Sequence, residues 1–214
     1  MRNDEVRIFF LIICFVVLFC ISYLFIFEGF SFAEAVRIGA FQSISIVTTT
    51  GFTSGPLSDM GAALPLLVLF LAFVGACSGS VGGGMKVWRI IVLFKVGFNN
   101  ITKLMHPNAV STTKLNGEKI TSSQIESVFS FLTLYIIIFA LFLLIIIFQS
   151  NDFYSAFSAT AAAINNLGPG LGEYESNFSS LNSVGKYALS LAMIIGRLEI
   201  FGVLILFIPS YWRN

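Results

Sequence analysis

The sequence predicts an all-α integral membrane fold in which one pattern occurs twice: a span, a short helix, a polar glycine-bearing loop, and another span. Three observations point there. The 214 residues are 57% hydrophobic and only 11% charged, against about 25% charged in an ordinary soluble domain. Too few charges remain to solvate a globule of this size. Two uncharged stretches, residues 8–27 and 127–149, each reach the roughly 20 residues needed to cross a hydrocarbon core. After each of them the same order of short helix, loop and span recurs. Twelve Lys+Arg against eleven Asp+Glu leave no polybasic footprint for nucleic acid, and the composition excludes a soluble enzyme or a disordered chain.

The elements follow in order. Residues 8–27 come after Met1-Arg2-Asn3-Asp4-Glu5 and are long for the apolar region of a signal peptide, so they read as an uncleaved span. Residues 32–47 are of helical length and run into Thr48-Thr49-Thr50-Gly51-Phe52. The next span, 62–96, is broken. Residues 64–74 are apolar, Gly75-Ala76-Cys77-Ser78-Gly79-Ser80-Val81-Gly82-Gly83-Gly84 cannot hold a regular helix, and apolar character resumes at 87–96. Residues 97–126 form a connector that closes off the first repeat, 1–96. The second repeat, 127–214, carries a span at 128–148, a short helix at 152–164, a loop at 165–170 and a last span at 187–208 interrupted by Arg197 and Glu199. Both short helices contain an Ala-Phe pair, Ala40-Phe41 and Ala156-Phe157. Cys14, Cys20 and Cys77 are odd in number, show no metal-ligand spacing and read as small apolar residues.

Orientation comes from the basic residues. Arg2, Arg7, Lys86, Arg89, Lys95, Lys103, Lys114, Lys119 and Arg213 fall on one side. Only Arg37 and Lys186 fall on the other, beside Glu28, Glu34, Asp59, Asp152, Glu173 and Glu175. Both termini and the connector are therefore expected in the cytoplasm, across a cytoplasmic membrane. Lys86, Arg89 and Lys95 read as anchors at the inner surface, where they meet anionic lipid or an acidic partner. The outer acids either draw cations in or are an ordinary solvated face.

The loops carry the chemistry. Non-helical backbone at membrane depth is tolerated only when buried in protein or lining a water-filled cavity. A Thr-Thr-Thr-Gly-Phe loop after a half-helix presents a row of carbonyls, glycine lets them turn toward one axis, and such rings replace the hydration shell of K⁺. The carboxyl end of the half-helix also favours a cation. The plainer alternative is a hairpin with flexible turns. Three successive glycines at 82–84, each costing about 1 kcal/mol against Ala in a helix, exceed what close helix packing needs. A P-loop is excluded, because Met85 separates Gly84 from Lys86 and no Ser or Thr follows. An intramembrane protease at Ser78-Gly79 lacks a partner, since His106 is the only histidine and lies outside every span. Arg197, near the middle of the last span, costs roughly 2.5–3.5 kcal/mol and cannot simply pair with Glu199 two residues on. It is expected either to bond loop carbonyls or a distant carboxylate, or to place its guanidinium in a cavity under the loops, and the two are compatible.

These residues carry a resemblance. Thr48-Thr49-Thr50-Gly51-Phe52-Thr53 resembles a filter loop of the TrkH/TrkG/KtrB family of potassium-uptake proteins, and Asn165-Asn166-Leu167-Gly168-Pro169-Gly170-Leu171-Gly172 is similar to the filter loop of that family's last repeat. Residues 75–86 resemble its glycine-rich intramembrane loop, and Gly196-Arg197-Leu198-Glu199 the arginine motif of its final helix. The resemblance implies two span–pore-helix–span (M1-P-M2) repeats, the third and fourth, of a four-repeat potassium-channel-like pore. It implies a filter of backbone carbonyls at Thr48, Thr49, Thr50, Gly51 and Phe52 and at Asn165, Asn166, Leu167 and Gly168, with K⁺ as the transported ion and no cofactor. Gly168 aligns with Gly51, with Gly170 as the alternative. It implies a gate formed by Gly75, Ser78, Gly79, Ser80, Gly82, Gly83, Gly84 and Arg197. The implied partners are membrane lipid, a second copy or an N-terminal half to close the ring, and a TrkA- or KtrA-type cytosolic nucleotide-binding regulatory subunit. The alternative to a working pore is a truncated, non-conducting half that needs a missing N-terminal half.

Overall fold

In a computed structural model of the chain, the described residues are 4–61, 63–80, 82–106, 113–150, 152–206 and 211–212. Arg2 and Arg213 of the orientation argument, positions 62 and 81 of the broken span, and the last two positions of the 187–208 span lie outside them.

The first repeat opens with α1 (Asp4–Ile26), which packs against the shorter α2 (Phe32–Val47). Helix α2 begins where Ser31 and Glu34 form a reciprocal capping box, each side chain bonding the other's backbone N–H. A second apolar helix, α3 (Leu64–Ala72), gives way to the glycine-rich loop, and α4 (Val87–Met105) leaves it. A two-residue hairpin, β1 (Lys114–Leu115) with β2 (Glu118–Lys119), joins the repeats. The second repeat repeats the order as α5 (Ser122–Ile147), α6 (Phe153–Ile164), α7 (Ser183–Arg197) and α8 (Ile200–Leu206). Thr121 and Gln124 make a capping box on α5, and Asp152 caps α6 through the Tyr154 and Ser155 N–H groups.

Helices α1 and α5 are long and apolar enough to cross a membrane, and only 17% and 22% of their most apolar windows are buried, which leaves their outer faces for lipid. Several helix ends lie beyond the spans read from the sequence, for one reason. Charge ends a membrane span but does not end a helix, so α4 runs through Lys95 and Lys103 to Met105, and α5 starts at Ser122, both inside the 97–126 connector.

The core of the first repeat, built on Val16, Cys20, Leu24, Ile46, Val68 and Leu69, reaches into the second repeat through Ala161, Ala162 and Leu167. Between the repeats, Phe70 of α3 and Phe73 at its C-cap interlock with Phe139 of α5 and Phe157 of α6 at ring separations of 5.4 to 6.3 Å. This seam sets the two loops side by side.

Candidate carbonyl-lined turns and the loop beneath them

Helices α2 and α6 end in the same turn. Thr48 and Asn165 are the C-caps, bonding back to Ile44 O and Ala161 O. The next residues, Thr49 (φ 55) and Asn166 (φ 53), are both left-handed. Thr50 and Leu167 then donate to Ser45 O and Ala162 O at 2.8 and 2.9 Å, and Gly51 (φ 81) and Gly168 (φ 107) follow. All these pairs share one constant offset, so Gly168, not Gly170, takes the place of Gly51. In that register the two Ala-Phe pairs are displaced by one residue and mark no equivalent position. Helix α2 is one turn longer at its start.

The side chains of the first turn fold back on its helix. Thr48 Oγ1 donates to Ile44 O at 2.6 Å and lies 2.8 Å from Thr50 Oγ1, and Ser45 Oγ donates to the Phe52 carbonyl at 2.6 Å. The second turn is held from inside. Asn165 is fully buried, its Oδ1 accepts the Tyr135 O–H at 2.7 Å, and its Nδ2 donates to Ala161 O at 2.9 Å. Among the described residues, no hydrogen bond takes the backbone carbonyls at 48–51 or 165–168. Backbone carbonyls are obligatory acceptors, so each turn presents a run of oxygens with capacity to spare. The turns are neighbours: a Cβ at Gly51 would overlap the Leu167 carbonyl.

Against these turns lies the glycine-rich loop. Gly83 N–H donates to Thr49 Oγ1 at 3.0 Å, and a Cβ on Gly83 would overlap the Asn165 carbonyl. Gly82 packs against Ala76 and Thr49. Gly75 and Gly84 face each other where the chain enters and leaves the loop, and Met85 N–H closes that neck on Phe73 O at 3.0 Å. The exposed tip, Ser78-Gly79-Ser80, is a turn closed by Ser80 N–H on Cys77 O at 3.0 Å. A cavity of about 160 Å³ opens beside the loop, lined by Ser80, Gly82, Gly84 and Lys86 from one repeat and Tyr135, Gly196, Arg197 and Glu199 from the other. Arg197, at the end of α7, is exposed and faces this space.

Three charged residues depart from the sequence reading. Lys86 is not a surface anchor: it is 7% exposed, and its Nζ donates to Ser80 O at 2.9 Å and Gly82 O at 2.7 Å. Arg89 is not one either, since it forms an ion pair with Glu199 at 2.6 Å. Both find partners inside the protein because the kinked loop and the break between α7 and α8 bring polar groups to them. Glu5, passed over in the sequence, is buried and accepts from the N–H and Oγ of Ser78. A carboxylate three residues before a long apolar run was its only signal. On the opposite side, Glu34 and Asp152 are helix caps and Glu175 accepts the Ser58 N–H at 2.9 Å, tying the outer segments of the repeats together. The hydrogen bonds from Ser31 hold the Glu34 carboxyl below its ordinary range, and those from Ser155 and Tyr154 do the same for Asp152.

A family model described as TrkH, cation transport protein, matches residues 6–214. The Trk system potassium uptake protein TrkH of Escherichia coli (strain K12) is 40% identical over 214 residues, covering 100% of this chain and 44% of that protein. The TrkH of Vibrio parahaemolyticus is 41% identical over 216 residues, with the same coverage. The crystal structure of the potassium transporter TrkH from Vibrio parahaemolyticus superposes with a TM-score of 0.91 at 41% identity, over 99% of this chain and 46% of that one. The chain thus spans less than half the length of these relatives.

Proposed function

The chain belongs to the TrkH family of cation transport proteins, and from that premise we propose that it supplies two of the four carbonyl-lined turns of a potassium pore. The observation that carries this reading is the pair of equivalent turns, side by side, whose carbonyls at 48–51 and 165–168 take no hydrogen bond among the described residues. A dehydrating K⁺ needs such oxygens on several sides at once, and two turns furnish them on adjacent sides only. The remaining sides come from a second copy or from an N-terminal half. The relatives are named for potassium uptake, which favours K⁺ as the ion and a transport role over an enzymatic one.

The loop at 75–84 lies under both turns and obstructs the way from them to the cavity, and Arg197 adds a positive charge there that opposes a passing cation. On the positive-inside distribution, the loop side faces the cytoplasm, where the connector and the end of α4 form the surface available to a TrkA- or KtrA-type regulatory subunit. A second reading, a half-pore that conducts nothing by itself, is favoured by the exposure of Thr50, Phe52, Gly168 and Arg197, which turn away from the rest of the chain. Potassium-uptake-deficient cells carrying this chain alone, or with an N-terminal half, separate the readings. Growth at low K⁺ only with both supports the half-pore, growth with the chain alone supports self-completion, and growth in neither, with both chains in the membrane, defeats the pore reading.

A further inference from the structure

The loop under the turns is gripped by two charged side chains that the carbonyl turns do not use. From one side, Lys86 bends its ammonium back to Ser80 O at 2.9 Å and Gly82 O at 2.7 Å. From the other, Glu5 in the first turn of α1 accepts the Ser78 N–H and, at 2.7 Å, the Ser78 hydroxyl. A cationic donor and an anionic acceptor therefore hold opposite peptide groups of one short segment. Both side chains are buried, and a buried charge is tolerated only when its partners stay in place. Lys86 stands at φ 71 just ahead of α4, a conformation an L residue adopts at a cost, and here it accompanies a side chain turned to the loop. The upper edge of the same segment meets Thr49 through the Gly83 N–H.

We propose that Lys86 and Glu5 are positioning residues that latch the loop beneath the carbonyl turns, so that the loop withdraws only when both charges exchange its peptide groups for other partners. The latch rests on the reading of residues 75–84 as an obstruction, but its test does not depend on ion flow. Cys77 adjoins Ser78 at the tip and is half-buried, so its modification by a charged, membrane-impermeant thiol reagent reports on the loop directly. In a Cys14→Ala, Cys20→Ala background, Lys86→Met and Glu5→Gln are each expected to speed that modification about tenfold, since each takes the charge away from two hydrogen bonds to the loop. The thermal midpoint is expected to stay near that of the parent, a combination that general destabilisation does not produce. Ser78→Ala, at an exposed residue, leaves both charges in place and is expected to give a smaller increase of about threefold. It decides the matter if the charge variants do not fold. Unchanged Cys77 modification in the folded variants overturns the latch. Faster modification with no ⁸⁶Rb⁺ flux, even with an N-terminal half supplied, upholds the latch and counts against the pore reading instead.

Discussion

Arg89 Nη2 donates to Glu199 Oε2 at 2.6 Å, joining the first turn of α4 to the break between α7 and α8. The guanidinium also donates Nη1 to Met85 O at 3.2 Å and lies 4.0 Å from the centroid of the Phe131 ring. Glu199 holds a left-handed backbone at φ 57. The two interrupted spans are thus fastened to each other at their interruptions, four residues past Met85 at the loop neck on one side and two residues past Arg197 on the other.

That fastening is measurable as a coupling. The Arg89 side chain is 11% exposed and that of Glu199 45%, so solvent screens the pair in part. A double-mutant cycle with Arg89→Met and Glu199→Gln is expected to return about 1 kcal/mol of interaction. Denaturant unfolding in detergent checks it, and additive single effects would show the contact to be incidental.

Gly83 has no room for a side chain, because a Cβ there overlaps the Asn165 carbonyl. Gly83→Ala is therefore expected to push the loop off the turns and raise ⁸⁶Rb⁺ flux several-fold in a completed pore, with helix content by circular dichroism unchanged. A flux at or below the parent's would mean that the loop does not obstruct the path.

Tyr135→Phe removes only a hydroxyl, the one that donates to Asn165 Oδ1 at 2.7 Å. It leaves a fully buried amide oxygen without that donor, at a cost of about 1–3 kcal/mol. The expected result is a lower unfolding free energy together with weaker K⁺ protection against heating, since the second turn loses its brace. An unchanged K⁺ effect would confine Tyr135 to general stability.

Acid should loosen the two short helices before the spans. The Glu34 and Asp152 carboxyls are held below their ordinary pKa by hydrogen bonds made only in the folded chain. The stability they contribute is full above the unfolded carboxylate range and is lost as pH falls through their lowered folded values. Thermal midpoints are expected to drop below about pH 4, with Glu34→Gln and Asp152→Asn flattening that drop. Identical acid profiles for parent and double variant would refute the capping role.

The fold class was open to sequence reading because the hydrocarbon core imposes length and charge rules that local composition must obey, as in the runs that became α1 and α5. Register was not. The Ala-Phe pairs sit one position out, because side chains on a buried helix answer to their neighbours, whereas the turn is defined by backbone bonds such as Thr50 to Ser45 O and Leu167 to Ala162 O. Lys86 and Glu5 were hidden for a related reason. Their partners are peptide groups of Ser78, Ser80 and Gly82, and nothing in a residue's identity announces which backbone group it will meet across a kinked loop. Arg89 and Glu199 are 110 positions apart, so only the packed repeats reveal them as a pair.

The contacts of Gly83 have a consequence for symmetry. Its amide binds the first turn through Thr49, while its Cα lies against the second at Asn165. On the proposed gating, one hinge straddles the boundary between the two repeats, and its displacement would free both turns in a single event. The second half can then dispense with a hinge of its own, and its last span keeps only the short break at Leu198 and Glu199. On that reading the two repeats divide the labour, one carrying the moving loop and the other the Arg197 that faces the same cavity.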